Sequence, residues 1–198
     1  NDSAPTTCGG PTSGIVINEF VSDPVGSDSE VMGEWIELFH GGTEDIDLKD
    51  WAFQVATSSF STKYTWEEST LMMPGDFILI GDEGVPDVDI LVSLSLPNAS
   101  SNSDGLRLVD CRGFAADTVV YGSPNSDEIV DDTNGIATNT AVSPDEGVGL
   151  ARVQDGYDTN NSRFDFIATT DVTPGAPNPE QDPIVCVPDD GSVKLNEI

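Results

Sequence analysis

Between positions 155 and 165 the chain places oxygen-bearing side chains close together: Asp155, Asp158, Asn160 and Asp165. Hard cations such as Ca2+ take roughly six to eight oxygen ligands from carboxylates, amides and carbonyls. Asp158 and Asn160 stand in the alternating spacing that opens a calcium loop. No glutamate follows at the distance an EF-hand requires, so the stretch is not an EF-hand. A second acidic stretch, Asp23, Asp28 and Glu30, running on to Glu34, offers the same ligand chemistry with less pattern. Either stretch also suits an Asx-rich turn that bonds its own backbone. Ca2+ is therefore the one cofactor the residues suggest.

Other chemistries find less material. Trp66 with Tyr64 could form an aromatic platform for a ligand, since such rings stack well in binding sites. Trp35 and Trp51 read as core residues. His40 is the one histidine; at a strand end it reads as a surface residue, and no nucleophile elbow stands near it. Zinc needs several nitrogen or sulfur ligands, and none cluster. With 36 acidic residues, some pair always falls at a glycosidase-like spacing, so that signal is empty. No catalytic residue is assigned.

The charge balance narrows the partners. Seven basic residues face those 36 acidic ones, a formal net charge of −29. Nucleic-acid binding rests on Lys and Arg neutralising phosphates, so no nucleic-acid partner is expected. No apolar run is long enough to span a bilayer, so no membrane insertion is expected either.

The elements that must position these residues read as strands throughout. Ile15 to Val21 is rich in β-branched and aromatic residues. Trp35 to His40, Trp51 to Val55 and Lys63 to Trp66 follow, then Phe77 to Gly81, an apolar run buried on both faces. Ile90 to Leu96 is a further strand, and Gly105 to Cys111 pairs with Asp117 to Gly122 as a hairpin. Residues 123–146 form a long polar loop carrying Asp127, Glu128, Asp131 and Asp132. Val148 to Arg152 and Phe166 to Ala168 are the last two strands. No window carries a helical period, and short strands between turn signals argue an all-β sandwich.

The two ends repeat each other. Cys186 and Asn196-Glu197-Ile198 stand the same distance beyond Cys8 and Asn18-Glu19-Phe20, each after an aliphatic lead-in. Repetition of whole modules marks an array. The chain then divides into a linker at 1–14, a domain at 15–178, a linker at 179–192 and the first strand of a second copy at 193–198. An odd count of three cysteines fits this scheme. Cys8 with Cys111 is the expected disulfide, Cys111 with Cys186 the alternative, and an oxidising compartment follows from either.

Several motifs in fixed order carry a resemblance. They are Ile17-Asn18-Glu19-Phe20, Glu34-Trp35-Ile36-Glu37-Leu38 and Asp45 to Trp51, then Leu71 to Gly75. Gly105 to Asp110, Asp117 to Tyr121, Gly149 to Arg152, Asp155 to Asn161, Asp165-Phe166 and Thr173-Pro174-Gly175-Ala176-Pro177-Asn178 complete the series. In these residues the chain resembles the lamin-tail domain family in its bacterial, exported form. The resemblance implies an immunoglobulin-like β-sandwich used as an accessory module in secreted or surface proteins. It departs from the family pattern at His40, where a polar Asn is usual, and in the length of 123–146. The link of nuclear members to DNA does not carry over to so acidic a chain.

The resulting expectation is a non-enzymatic extracellular or cell-surface module acting as spacer, adhesion or partner-binding unit. Its partners would be protein or carbohydrate at the cell surface and neighbouring copies of the same module. The alternatives are calcium-dependent binding of carbohydrate or protein and, third, a small hydrolase.

Overall fold

The computed structural model describes residues 14–26 and 33–179. Two antiparallel-based sheets face each other. The larger runs β12-β11-β1-β2-β7-β8 and the smaller β10-β9-β4-β5. Here β1 is Ile15–Val21, β2 Trp35–His40, β4 Ala52–Ala56, β5 Phe60–Thr65, β7 Phe77–Gly81 and β8 Ile90–Leu91. The later strands are β9 Asp104–Val109, β10 Ala115–Tyr121, β11 Gly149–Arg152 and β12 Phe166–Thr169. A two-stranded ribbon of β3, Ile46–Asp47, and β6, Leu71–Met72, adds Ile46 and Met72 to the core.

Side-chain alternation builds that core. Ile15, Ile17 and Phe20 of β1 and Ile36 and Leu38 of β2 point inward, against Phe53 and Val55 of β4, Leu106 and Leu108 of β9, and Val119 and Tyr121 of β10. The fold is the all-β sandwich that the strand pattern and the resemblance both indicate. Trp51 lies in the central core. Trp35 is equally buried but on the outer face of the large sheet, where it packs with Val21, Leu79 and Val85.

Four expectations need correction. Trp66 is only 1% exposed and packs edge-to-face on half-buried Tyr64 at 5.0 Å, so the pair is core and not a ligand platform. His40 is fully buried, with Nε2 2.7 Å from the Glu44 carbonyl and Nδ1 accepting from Gly42 N at 3.1 Å. It is buried because it stabilises the turn after β2. The stretch from Ile90 to Leu96 pairs only over Ile90–Leu91; Leu94 and Leu96 are buried without a ladder. A single helical turn, α1, spans Ser162–Asp165, too short to leave a periodic signal.

Close packing at the large sheet leaves no room at Gly81. A Cβ there would meet Trp35 Cβ at 2.8 Å and the Glu34 carbonyl oxygen at 2.9 Å. Gly81→Ala is expected to cost about 1–3 kcal/mol, the usual penalty for overpacking. Urea unfolding of the variant measures it; an unchanged midpoint would show that β2 and β7 can part freely.

Candidate metal centre

The site begins where two strands part. β11 pairs with β1 only at Glu19 and Phe20, so the peptide of Ile17 lies beyond that pairing. Two side chains complete it. Asp117 Oδ2, on the core-facing side of β10, accepts from Ile17 N at 2.6 Å. Arg152 Nε, at the end of β11, donates to Ile17 O at 2.8 Å. The same guanidinium joins Asp117 through Nη2 at 2.8 Å, so an ion pair bridges the two sheets. Arg152 also donates from Nη1 to the Tyr157 carbonyl at 2.6 Å and lies over the Phe166 ring at 4.7 Å.

Two loops converge on this pair. Residues 153–161 are held by Asp165, whose Oδ1 accepts from Thr159 Oγ1 and whose Oδ2 accepts from the amides of Thr159 and Asn161. Ser162 Oγ then accepts from Val120 N, which fastens α1 to the edge of β10. The 123–141 segment folds over the outer face of the small sheet, burying Ile129 and Ala137 against Ala56 and Val120. Asn125 bonds Ile129 N, Ile129 O and Ala137 O. Arg107, stacked on Phe60 at 3.6 Å, donates to the Val130 carbonyl at 2.7 Å.

The result brings Asp117, Asp132 and Asp158 together, with one carboxylate oxygen of each within 4.8 Å of the others. Asp117 is buried, Asp132 half-buried and Asp158 exposed, so the group opens to solvent on one side. Asn160 completes it. The terminal atom of its amide stands 2.8 and 2.5 Å from the two oxygens of Asp132. With nitrogen in that place the amide donates to both Asp132 oxygens, and the oxygens of Asp117, Asp132 and Asp158 remain as the group a hard cation could hold.

Electrostatics point the same way. Burial first, then the charges of Asp117 and Asp158, raise the Asp132 carboxyl to about 7. Burial also raises Asp117, against the opposing pull of Arg152. Burial alone would lower the Arg152 guanidinium, but Asp117 and Asp158 outweigh it and keep it charged. With all three carboxylates ionised, two negative charges would stand in excess over the one guanidinium, and Asp165 adds a carboxylate 3.7 Å from Arg152. A divalent cation would neutralise that excess.

Of the expected ligands, the structure brings Asp158 and Asn160 to this group and turns Asp155, Asp165 and Asp23 to other partners. Asp155 Oδ1 accepts from Asn18 Nδ2 and Asn178 N. Asp165 braces the loop as described. Asp23 lies across the chain, where its carbonyl accepts from Gly147 N; Asp28 and Glu30 lie outside the described residues. Asp117 and Asp132 escaped sequence reasoning. A signal for Asp117 exists: it shares the parity of core residues Val119 and Tyr121. Asp132 carries no such mark, because its place depends on how a long loop folds back. Cys111 sits in the exposed turn after β9, while Cys8, Cys186 and the suggested second copy at 193–198 lie outside the described residues.

Among the described residues no helix is long and apolar enough to cross a membrane. Residues 10–123, more than half of the chain, match the family model described as Lamin Tail Domain. No match to a curated protein was found. The match ends just after β10, whereas β11 and β12 complete the large sheet beyond it.

Proposed function

The chain belongs to the lamin tail domain family, and on that premise we propose that it is a non-catalytic, calcium-binding β-sandwich module of an exported protein. In this reading Asp117, Asp132 and Asp158 hold Ca2+, with the Asn160 amide bonded to Asp132, and the ion ties the 123–141 and 153–161 loops to the end of the sandwich. The ordered loops then present a surface to protein or carbohydrate, or to a neighbouring copy of the module. The observation that carries the reading is the convergence of the Asp117, Asp132 and Asp158 carboxylates beside one buried arginine. The non-catalytic part is supported by His40, whose two ring nitrogens are both engaged by backbone. Export belongs to the same reading, with Cys8 as the disulfide partner of Cys111 and Cys186 as the alternative.

Calorimetric titration of the calcium-stripped chain tests the site. Heat of binding is expected, together with stabilisation of about 2.7 kcal/mol when free Ca2+ reaches about a hundred times its dissociation constant. For a domain of this size that raises the melting temperature by about 5–10 °C. Asp132→Asn with Asp158→Asn is expected to remove both effects. Absence of heat and of any melting shift in the unsubstituted chain would leave a spacer module without a cation.

A further inference from the structure

A second group of buried carboxyls lies on the outer face of the large sheet. Ile36, Leu38 and Phe20 point into the core, so Glu37 and Glu19 point outward. A bulge at Asn18 sets Glu19 directly opposite Glu37 in the β1–β2 register. Opposed residues of an antiparallel pair have Cβ atoms about 5 Å apart. Both glutamates are nevertheless fully buried. The segment after β12 covers them and spends its free amides on them. Thr173 N donates to Glu19 Oε2 at 2.8 Å, and Gly175 N donates to Glu37 Oε2 at 2.7 Å. Asn178 N donates to Asp155 Oδ1 at 3.0 Å, and Asn18 Nδ2 bridges Glu37 Oε1 and Asp155 Oδ1.

The charged groups facing the pair are acidic. Asp155 faces it from the loop after β11 and Asp171 from the segment after β12. Among the described residues no basic side chain bonds to either glutamate; Arg152 on neighbouring β11 turns its guanidinium to Asp117. Glu19 Oε1 has no hydrogen-bond partner among the described residues. Two adjacent buried carboxyls without a cation cannot both ionise cheaply, and a proton on one makes a donor for the other.

We infer that Glu19 and Glu37 keep at least one proton between them in the folded chain, and that this protonated pair latches the 173–178 segment onto the sheet. The proton on Glu37 is donated to Glu19 Oε1, which supplies the missing partner, while the remaining oxygens keep accepting from the segment's amides. Burial, with the neighbouring acids, holds Glu19 at about 7 and Glu37 at about 8, above their ordinary 4.5. Both values are raised by folding. The pair therefore holds both protons below about pH 7, one between about 7 and 8 and none above, and its contribution to stability is full below about pH 4.5 and lost as pH rises through 7 to 8.

Carbon NMR of the glutamate carboxyls in calcium-free buffer tests this on the full chain. Two carboxyl signals are expected to titrate between pH 6 and 9, the range set by the raised carboxyls. Glu19→Gln should move the Glu37 signal toward lower pH. Hydrogen exchange gives a second readout. Protection of the Thr173 and Gly175 amides, relative to Ile36 at the same pH, is expected to fall about tenfold or more for each pH unit of ionisation. Glu37→Gln should flatten that dependence. Both glutamates ionised throughout the range, or a protection ratio independent of pH, would overturn the inference. So would Ca2+ restoring protection at high pH in the Asp132→Asn, Asp158→Asn background, which would make the pair a metal site. Failure of the loop metal centre alone would leave the latch untouched.

Discussion

Arg152→Met is expected to lower the unfolding free energy by about 3–5 kcal/mol, the cost of leaving a buried charge without its partner. The guanidinium is 1% exposed and serves three elements at once: Ile17 O on β1, Asp117 on β10 and the Tyr157 carbonyl in the following loop. Methionine matches its stem but removes every one of those donors. Asp117 would then stay buried with only Ile17 N to bond it. Urea unfolding measures the loss. The double variant Arg152→Met, Asp117→Leu separates pair from packing, since removing both charges together costs less than stranding one. A loss below about 1 kcal/mol in the single variant, the range of an exposed ion pair, would show that water reaches the site. Such a result would also weaken the case for the proposed metal centre, whose 153–161 loop the same arginine bonds through the Tyr157 carbonyl.

Trp66→Ala is expected to cost about 3–5 kcal/mol, as large-to-small changes of buried aromatics do. Trp66 joins the core cluster with Trp51 and Met72; its N–H donates to the Trp51 carbonyl and its carbonyl accepts from Asp50 N. Its indole nitrogen has no partner among the described residues, so the ring is held by packing. An exposed sugar platform would behave in the opposite way, losing ligand binding with its melting temperature unchanged. Thermal melting of the variant therefore decides between core and platform in a single measurement.

The two substitutions probe parts of the molecule that were unequally legible in the linear chain. Strand positions followed from alternation because each strand's inward residues must meet the other sheet. Ile36 and Leu38 alternate with Glu37, and Leu106 and Leu108 with Arg107, and both patterns hold in the structure. The hairpin of β9 and β10 was equally plain, since turn chemistry is local. Trp66 was misread because one aromatic after a polar strand gives no parity to follow. β5 is half-exposed, and the chain's return to Trp51 turns Trp66, the residue after it, inward. His40 was misread for a related reason: its partners Gly42 and Glu44 are near in sequence, but their burial depends on the packed turn.

The sequence by itself determined the sandwich, its acidic surface and the presence of an oxygen-rich loop around Asp158 and Asn160. Those properties depend on residue type and short-range periodicity, which a chain carries before it folds. The tertiary structure alone decided which oxygens meet. Asp117, Asp132 and Asp158 come from a strand and two separate loops, and Glu19 and Glu37 face each other only through a bulged register. No spacing rule reports such meetings. They are set by where β11 leaves β1, and by how the 123–146 and 170–178 segments lie back over the sheets.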